Sequence, residues 1–204
     1  MHIPAKGGGG RGTWVSHLDC FWRGPTWLTQ TASLERHYPD LDVLFRRHLS
    51  VPNATAEHYI REAHALQSLD RPIIPHVKRL LVALAVQHSA GYIDGLKRAA
   101  IWKLAMFPVV PAGGGPWTLM AASSDKPWLV ADRASLGAQF RDLVPLLAFD
   151  GAFVLKIREL LVTLRMRHRL LSECATSVTE TVGETVFSDT LTQKYRDRGK
   201  YLFR

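Results

Sequence analysis

A chain of 204 residues, 47% hydrophobic and 22% charged, has the composition of a folded domain with a sizeable core and excludes global disorder. Its net charge of +8 permits contact with nucleic acid or an acidic partner without specifying either. No apolar run approaches the ~20 residues of a membrane helix, which predicts no membrane association. Two cysteines, Cys20 and Cys174, are too few for a disulfide framework and point to an intracellular, reducing compartment, cytoplasm or nucleus.

Residues 1–12 read as a flexible lead because of the Gly7–Gly10 run. The next stretch, to Leu28, is dense in aromatics: Trp14, Phe21, Trp22 and Trp27. Gly24-Pro25 marks a turn, and Trp14–Val15 and Cys20–Trp22 read as short extended pieces. Pro39 to Leu49 predicts a helix with Leu41, Leu44, Phe45 and Leu49 inward. Asn53 is the expected N-cap of a helix over 54–69, and Asp70-Arg71-Pro72 ends it. Pro75 to His88 is apolar on most of its surface, predicting a central helix stopped by Gly91. Another helix is expected over 94–103.

Short apolar runs and turn residues then alternate from Phe107 to Val130, the signature of a β meander. Helical texture returns with a short helix from Asp132 to about Leu143, followed by Pro145–Phe149. The clearest amphipathic pattern is Ala152–Leu171. Val154, Ile157, Leu161 and Leu164 fall at i, i+3, i+7 and i+10, opposite Lys156, Arg158, Glu159 and Arg165. The tail offers Ser172–Thr181, a break near Gly183, and a basic helix over 189–201. The expected fold class is mainly α (α+β), a helical bundle with a small antiparallel meander. Its regions are 1–12, 13–103, 104–131 and 132–204, with 13–204 as one compact unit.

No motif carries chemistry above background. His17, Asp19 and Cys20 place a base, an acid and a thiol together, but a cysteine nucleophile needs the thiol exposed beside its base. No second Cys/His pair has zinc spacing, and the Gly7–Gly12 and Gly113–Gly115 loops lack the Lys-Ser or Lys-Thr of a phosphate loop. No catalytic, cofactor or metal residue is assigned, and no enzyme activity is expected. A basic set, Arg165, Arg167, Arg169, Lys194, Arg196, Arg198 and Lys200, would contact nucleic acid or an acidic partner if it converged on one face.

The order of several short motifs carries a resemblance. They are Trp14…Cys20-Phe21-Trp22…Pro25…Leu28, Leu34…Tyr38-Pro39…Leu44-Phe45…Leu49 and Asn53-Ala54-Thr55…His58. Phe107-Pro108-Val109, Trp128–Arg133, Pro145–Phe149, Leu171-Ser172-Glu173, Val178-Thr179-Glu180 and Tyr195…Tyr201 follow. This set resembles a segment of large fungal proteins that carry a histidine-kinase/gyrase-type (GHKL) ATPase domain and are related to sacsin and the plant protein NO VEIN. That ATPase has an asparagine-bearing helix and an Asp-x-Gly-x-Gly lid, and neither is present here. The resemblance therefore implies a region outside the ATPase. It implies a non-catalytic scaffold or interaction segment, partnered by other domains of a larger chain or by other proteins.

Overall fold

The computed structural model describes residues 2–3, 13–16, 19–68, 73–176, 188–190 and 192–194. Helix α2, Ile74–Ser89, lies at its centre, with Val77, Leu80, Leu81 and Leu84 fully buried. Pro75 sits in its first turn, where a missing N–H leaves no bond unmade. Gly91 ends it at φ 78°, donating to the His88 carbonyl while Tyr92 reaches back to Gln87. This is a Schellman closure on the glycine that the sequence marks as the stop.

Helix α1, Ala56–Leu66, packs on α2 and on α3, Gly95–Lys103. The N-cap of α1 is Thr55, two residues beyond the expected Asn53. Thr55 N–H donates to His58 Nδ1 at 3.1 Å, so the histidine fills the place that Glu or Gln takes in a capping box. Asp94 caps α3 by accepting from Lys97 N–H at 2.9 Å.

The mainly helical α+β class holds, with a small antiparallel sheet. Strand β5, Ala105–Val110, is central, flanked by β6, Thr118–Ala121, and β7, Leu146–Leu147. The expected meander supplies only the first two strands. The third comes from 146–147, because Leu129 and Val130 form only isolated parallel bridges, to Leu146 and Leu170. Helix α4, Ala134–Phe140, occupies part of the expected 132–143 helix.

The amphipathic stretch keeps its inward face but not its continuity. It forms α5, Gly151–Lys156, α6, Arg158–Thr163, a single tight turn at Arg167–Arg169, and α7, Leu171–Cys174. The chain tightens at Ile157, whose N–H reaches only three residues back to Val154. Arg165 then takes φ 58° and closes a second Schellman motif, with Met166 N–H on the Leu161 carbonyl and Arg165 N–H on Val162. Phe153, Val154, Ile157, Leu160, Leu161 and Leu164 all remain buried.

Toward the N-terminus, β1, His2–Ile3, pairs antiparallel with β2, Thr13–Trp14. The rest of the expected flexible lead lies outside the described residues. Strands β3, Cys20–Phe21, and β4, Ala32–Ser33, pair in parallel. Here Cys20, Trp22, Leu34, Phe45 and Val51 form a second, smaller core, with Trp22 stacked on Phe45 at 5.7 Å. The expected inward stripe of residues 39–49 reduces to Phe45, and Leu41, Leu44 and Leu49 are exposed. Residues 43–48 wind more widely than an α-helix, with Leu49 N–H reaching five residues back to Leu44. That winding turns only one large side chain inward.

The compact unit expected over 13–204 divides near residue 174: residues 1–174 form one unit and 175–204 a second. In the second, residues 189–190 and 192–194 are helical. The break expected at Gly183 and most of the last helix lie outside the described residues. Among the described residues, no helix is long and apolar enough to cross a membrane.

Two substitutions test this core. Leu161→Ala is expected to lower stability by about 2–5 kcal/mol, read as an earlier urea midpoint. Arg165→Gly is expected to raise the melting temperature by about 1–3 °C, because it relieves a left-handed residue at a helix end.

Candidate interaction surface

Of the expected basic set, Arg165, Arg167, Arg169 and Lys194 fall among the described residues, and Arg169 is not on the surface. Arg169 is buried and donates to the carbonyls of Ser124, Lys126 and Trp128, at 3.3 Å for Lys126 and 3.1 Å for Trp128. Its guanidinium lies 4.6 Å over the Trp128 ring. Burial disfavours its charged form, which three carbonyl acceptors offset. Arg169 is thus an internal clamp on the 124–128 loop and not a contact for a partner. Arg167 is exposed and pairs with Glu173 at 3.3 Å. Lys194 is exposed and belongs to the second unit, while Arg196, Arg198 and Lys200 lie outside the described residues. Arg165 remains, exposed on the first unit.

The thiol chemistry finds no support in the fold. Cys20 is fully buried, and burial pushes its thiol pKa upward, away from the nucleophilic thiolate. His17 lies outside the described residues. His58 is buried beside Phe21 with ring centres 5.5 Å apart. Its Nδ1 takes the Thr55 hydrogen bonds, and the Cys20 backbone is a further partner. These hydrogen bonds serve the fold.

Glu62 is buried as well. Its carboxylate accepts from Thr29 N–H at 2.8 Å, Thr29 Oγ1 at 2.9 Å and Gln30 N–H at 3.1 Å. His76 Nε2 lies 2.8 Å from Oε1, and its ring meets Trp27 edge-on. Four partners saturate this carboxylate and tie the 29–30 loop to α1 and α2. A cavity of about 750 Å³ between the 49–58 loop and the ends of α2 and α3 is lined by Asn53, Glu57 and Lys97. Lys97 already pairs with Asp94 at 2.7 Å and with Glu57 at 3.7 Å. Among the described residues, no three His, Cys, Asp or Glu side chains gather as a metal-ligand set.

The outer faces of α2 and α5–α6 carry a different feature. These helices run side by side in the same direction. Lys78 pairs with Asp150 at 3.4 Å at one end, and Thr163 Oγ1 meets His88 Nε2 at 2.9 Å at the other. Along α2, Arg79, Val82, Val86 and Ser89 fall at i, i+3, i+7 and i+10 and are exposed. Val82 and Val86 are 38% and 60% open to water, and Leu155 and Val162 of the neighbouring helices 60% and 40%. Where α6 ends, Arg98, Trp102 and Arg165 line a groove of about 250 Å³ with Gly95, Ala99 and Thr163.

Sequence reasoning places a helix over 94–103 but misses its outward face. The signal is present, because Gly95 and Ala99, and Arg98 and Trp102, are exposed i, i+4 pairs on one flank of the helix beside buried Ile101.

His58 gives this region a pH dependence. Burial holds its pKa below the ordinary 6.5, so below that value the unfolded chain binds a proton that the folded chain resists. Its contribution to stability is complete above the unfolded pKa and is lost as pH falls toward the folded value. Thermal melts between about pH 7 and 5 are expected to fall less steeply in His58→Gln, which keeps the capping-box acceptor and does not titrate.

A family model described as a domain of unknown function (DUF8348) matches residues 57–175, more than half of the chain. No curated protein and no solved structure matches it.

Proposed function

The chain belongs to the DUF8348 family, whose description names no activity, and we propose that it is a non-catalytic interaction module that docks a protein through the outer face of α2 and α5–α6. The observation that carries this reading is the exposed apolar set of Val82, Val86, Leu155 and Val162 on neighbouring helices of the first unit. Exposed apolar side chains are ordinary singly; we take the four on the neighbouring helices α2, α5 and α6 as one docking face. The buried Cys20 and the saturated Glu62 and His58 support a structural role over a catalytic one. The same reading fits the resemblance to the segment outside the ATPase in sacsin- and NO VEIN-like proteins, where partners are other domains of a larger chain. The absence of a disulfide at Cys20 and Cys174 fits a partner in the reducing interior of the cell.

Val86→Ser combined with Val162→Ser tests the face. Both side chains already meet water, so the melting temperature is expected to stay within about 2 °C of the parent. A photo-crosslinking residue at position 82 is expected to give a discrete protein adduct in the cells of origin, and the double variant is expected to lose it. The same crosslinker at Ala112, in the exposed 111–116 loop, serves as the control. An adduct that survives the two serines would remove the face from the interaction.

A further inference from the structure

The groove at the end of α6 has a chemistry that the apolar stripe lacks. The guanidiniums of Arg98 and Arg165 make no ion pair or hydrogen bond to the described residues, unlike those of Arg158 and Arg167, which share Glu173. A Cβ placed on Gly95 would meet an Arg98 guanidinium nitrogen at 3.9 Å, an ordinary contact, which puts that head over the Gly95 side of the groove. Trp102 stands one turn along α3 from Arg98 and is 38% open to water. Thr163, on the opposite wall, directly follows Val162 of the stripe and bonds His88, two residues beyond Val86. The groove and the stripe are therefore continuous.

Arg165 adds a second indication. At the closing position of a Schellman motif glycine is the favoured residue, and a long cationic side chain stands there instead at φ 58°. Local backbone preference and residue type disagree at this point, as they do where a side chain serves a surface function.

We infer that the Arg98–Trp102–Arg165 groove recognises the carboxylate-bearing end of an acidic amphipathic protein segment whose apolar side chains lie along the stripe. This rests on the interaction reading above and specifies its partner. Two guanidiniums without a partner among the described residues, at one end of an apolar face, complement a segment that carries apolar residues on one side and acidic residues at one terminus. Trp102 supplies a flat apolar wall against the stem of the acidic side chain. Single-stranded nucleic acid would require cations tracking along the surface, whereas this groove continues into valines.

The test uses the full chain and fluorescence anisotropy. The probe is a labelled helix-forming peptide of about 18 residues, five turns, with leucines at i, i+4 and i+7 and a glutamate cluster at one end. A twin peptide carries lysines in place of the glutamates, and a short oligothymidine is the third probe. The acidic peptide is expected to bind, the lysine twin to fail, and binding to weaken as salt rises. Arg98→Gln with Arg165→Asn is expected to weaken binding about tenfold; asparagine tolerates the left-handed backbone. Arg98→Gln alone, on an exposed helix surface, guards against a folding defect. Binding is also expected to change tryptophan emission in the parent and not in Trp102→Phe.

Acidic-peptide binding that survives the arginine changes but not Val86→Ser with Val162→Ser would leave the docking face standing and overturn the anion site. Oligothymidine binding that is lost with the arginines, without peptide binding, would overturn the partner class. A parent chain that binds the acidic peptide no better than its lysine twin would overturn the inference outright.

Discussion

Burial of one face of α2 is the constraint on which the rest of the first unit depends. Val77, Leu80, Leu81 and Leu84 lose all contact with water, at roughly 1.5–3 kcal/mol each relative to an exposed position. That burial requires cover from several sides. Helix α1 and strand β5 provide part of it and α6 the remainder. A helix that is apolar nearly all round but covered on only part of its circumference leaves residual apolar surface, here Val82 and Val86. The proposed docking face is thus the outward side of the same helix that organises the core.

Charged groups hold the connections between these layers. Arg169 fixes the 124–128 loop, and Asp132 accepts from Ser172 N–H at 3.0 Å and from its hydroxyl, tying that loop's exit to the start of α7. Glu62 performs the same service for the 29–30 loop. Loops carry backbone groups that no ladder satisfies, and a buried ion with several partners collects them into one point. A formal net charge of +8 therefore overstates the cation content of the surface, since at least one arginine faces inward.

The sequence was most legible where one physical rule acts alone. Helical periodicity identifies the inward residues of 152–171, and Gly91 identifies the end of α2. It was least legible where tertiary contacts choose between local options. Periodicity alone cannot register the tight turn at Ile157 or the non-glycine closure at Arg165. The third strand of the sheet was hidden because Leu146–Leu147 is only two residues long, too short for any alternating pattern. Cap assignment slipped from Asn53 to Thr55 because histidine is an uncommon member of a capping box. Of the candidate site, Arg165 was legible as a basic residue on an amphipathic stretch. Arg98 and Trp102 were not, since only the packing of Ile101 shows which side of α3 faces water.

The two cores differ in how far apart along the chain their members lie. Cys20, Trp22, Leu34, Phe45 and Val51 come from one short stretch, whereas the larger cluster joins Phe21 to Leu170. Contacts between near neighbours form early and distant ones late, because loop closure precedes the gain from contact. During synthesis the aromatic lobe can close as soon as residue 51 has left the ribosome. The inner face of α2 lacks its last cover until α6 and the segment to Leu170 have emerged, about 80 residues after α2 itself, at roughly 5–20 residues per second. Over those seconds the nascent chain displays the leucines of α2 as well as its valines, and the same helix is sticky on both sides.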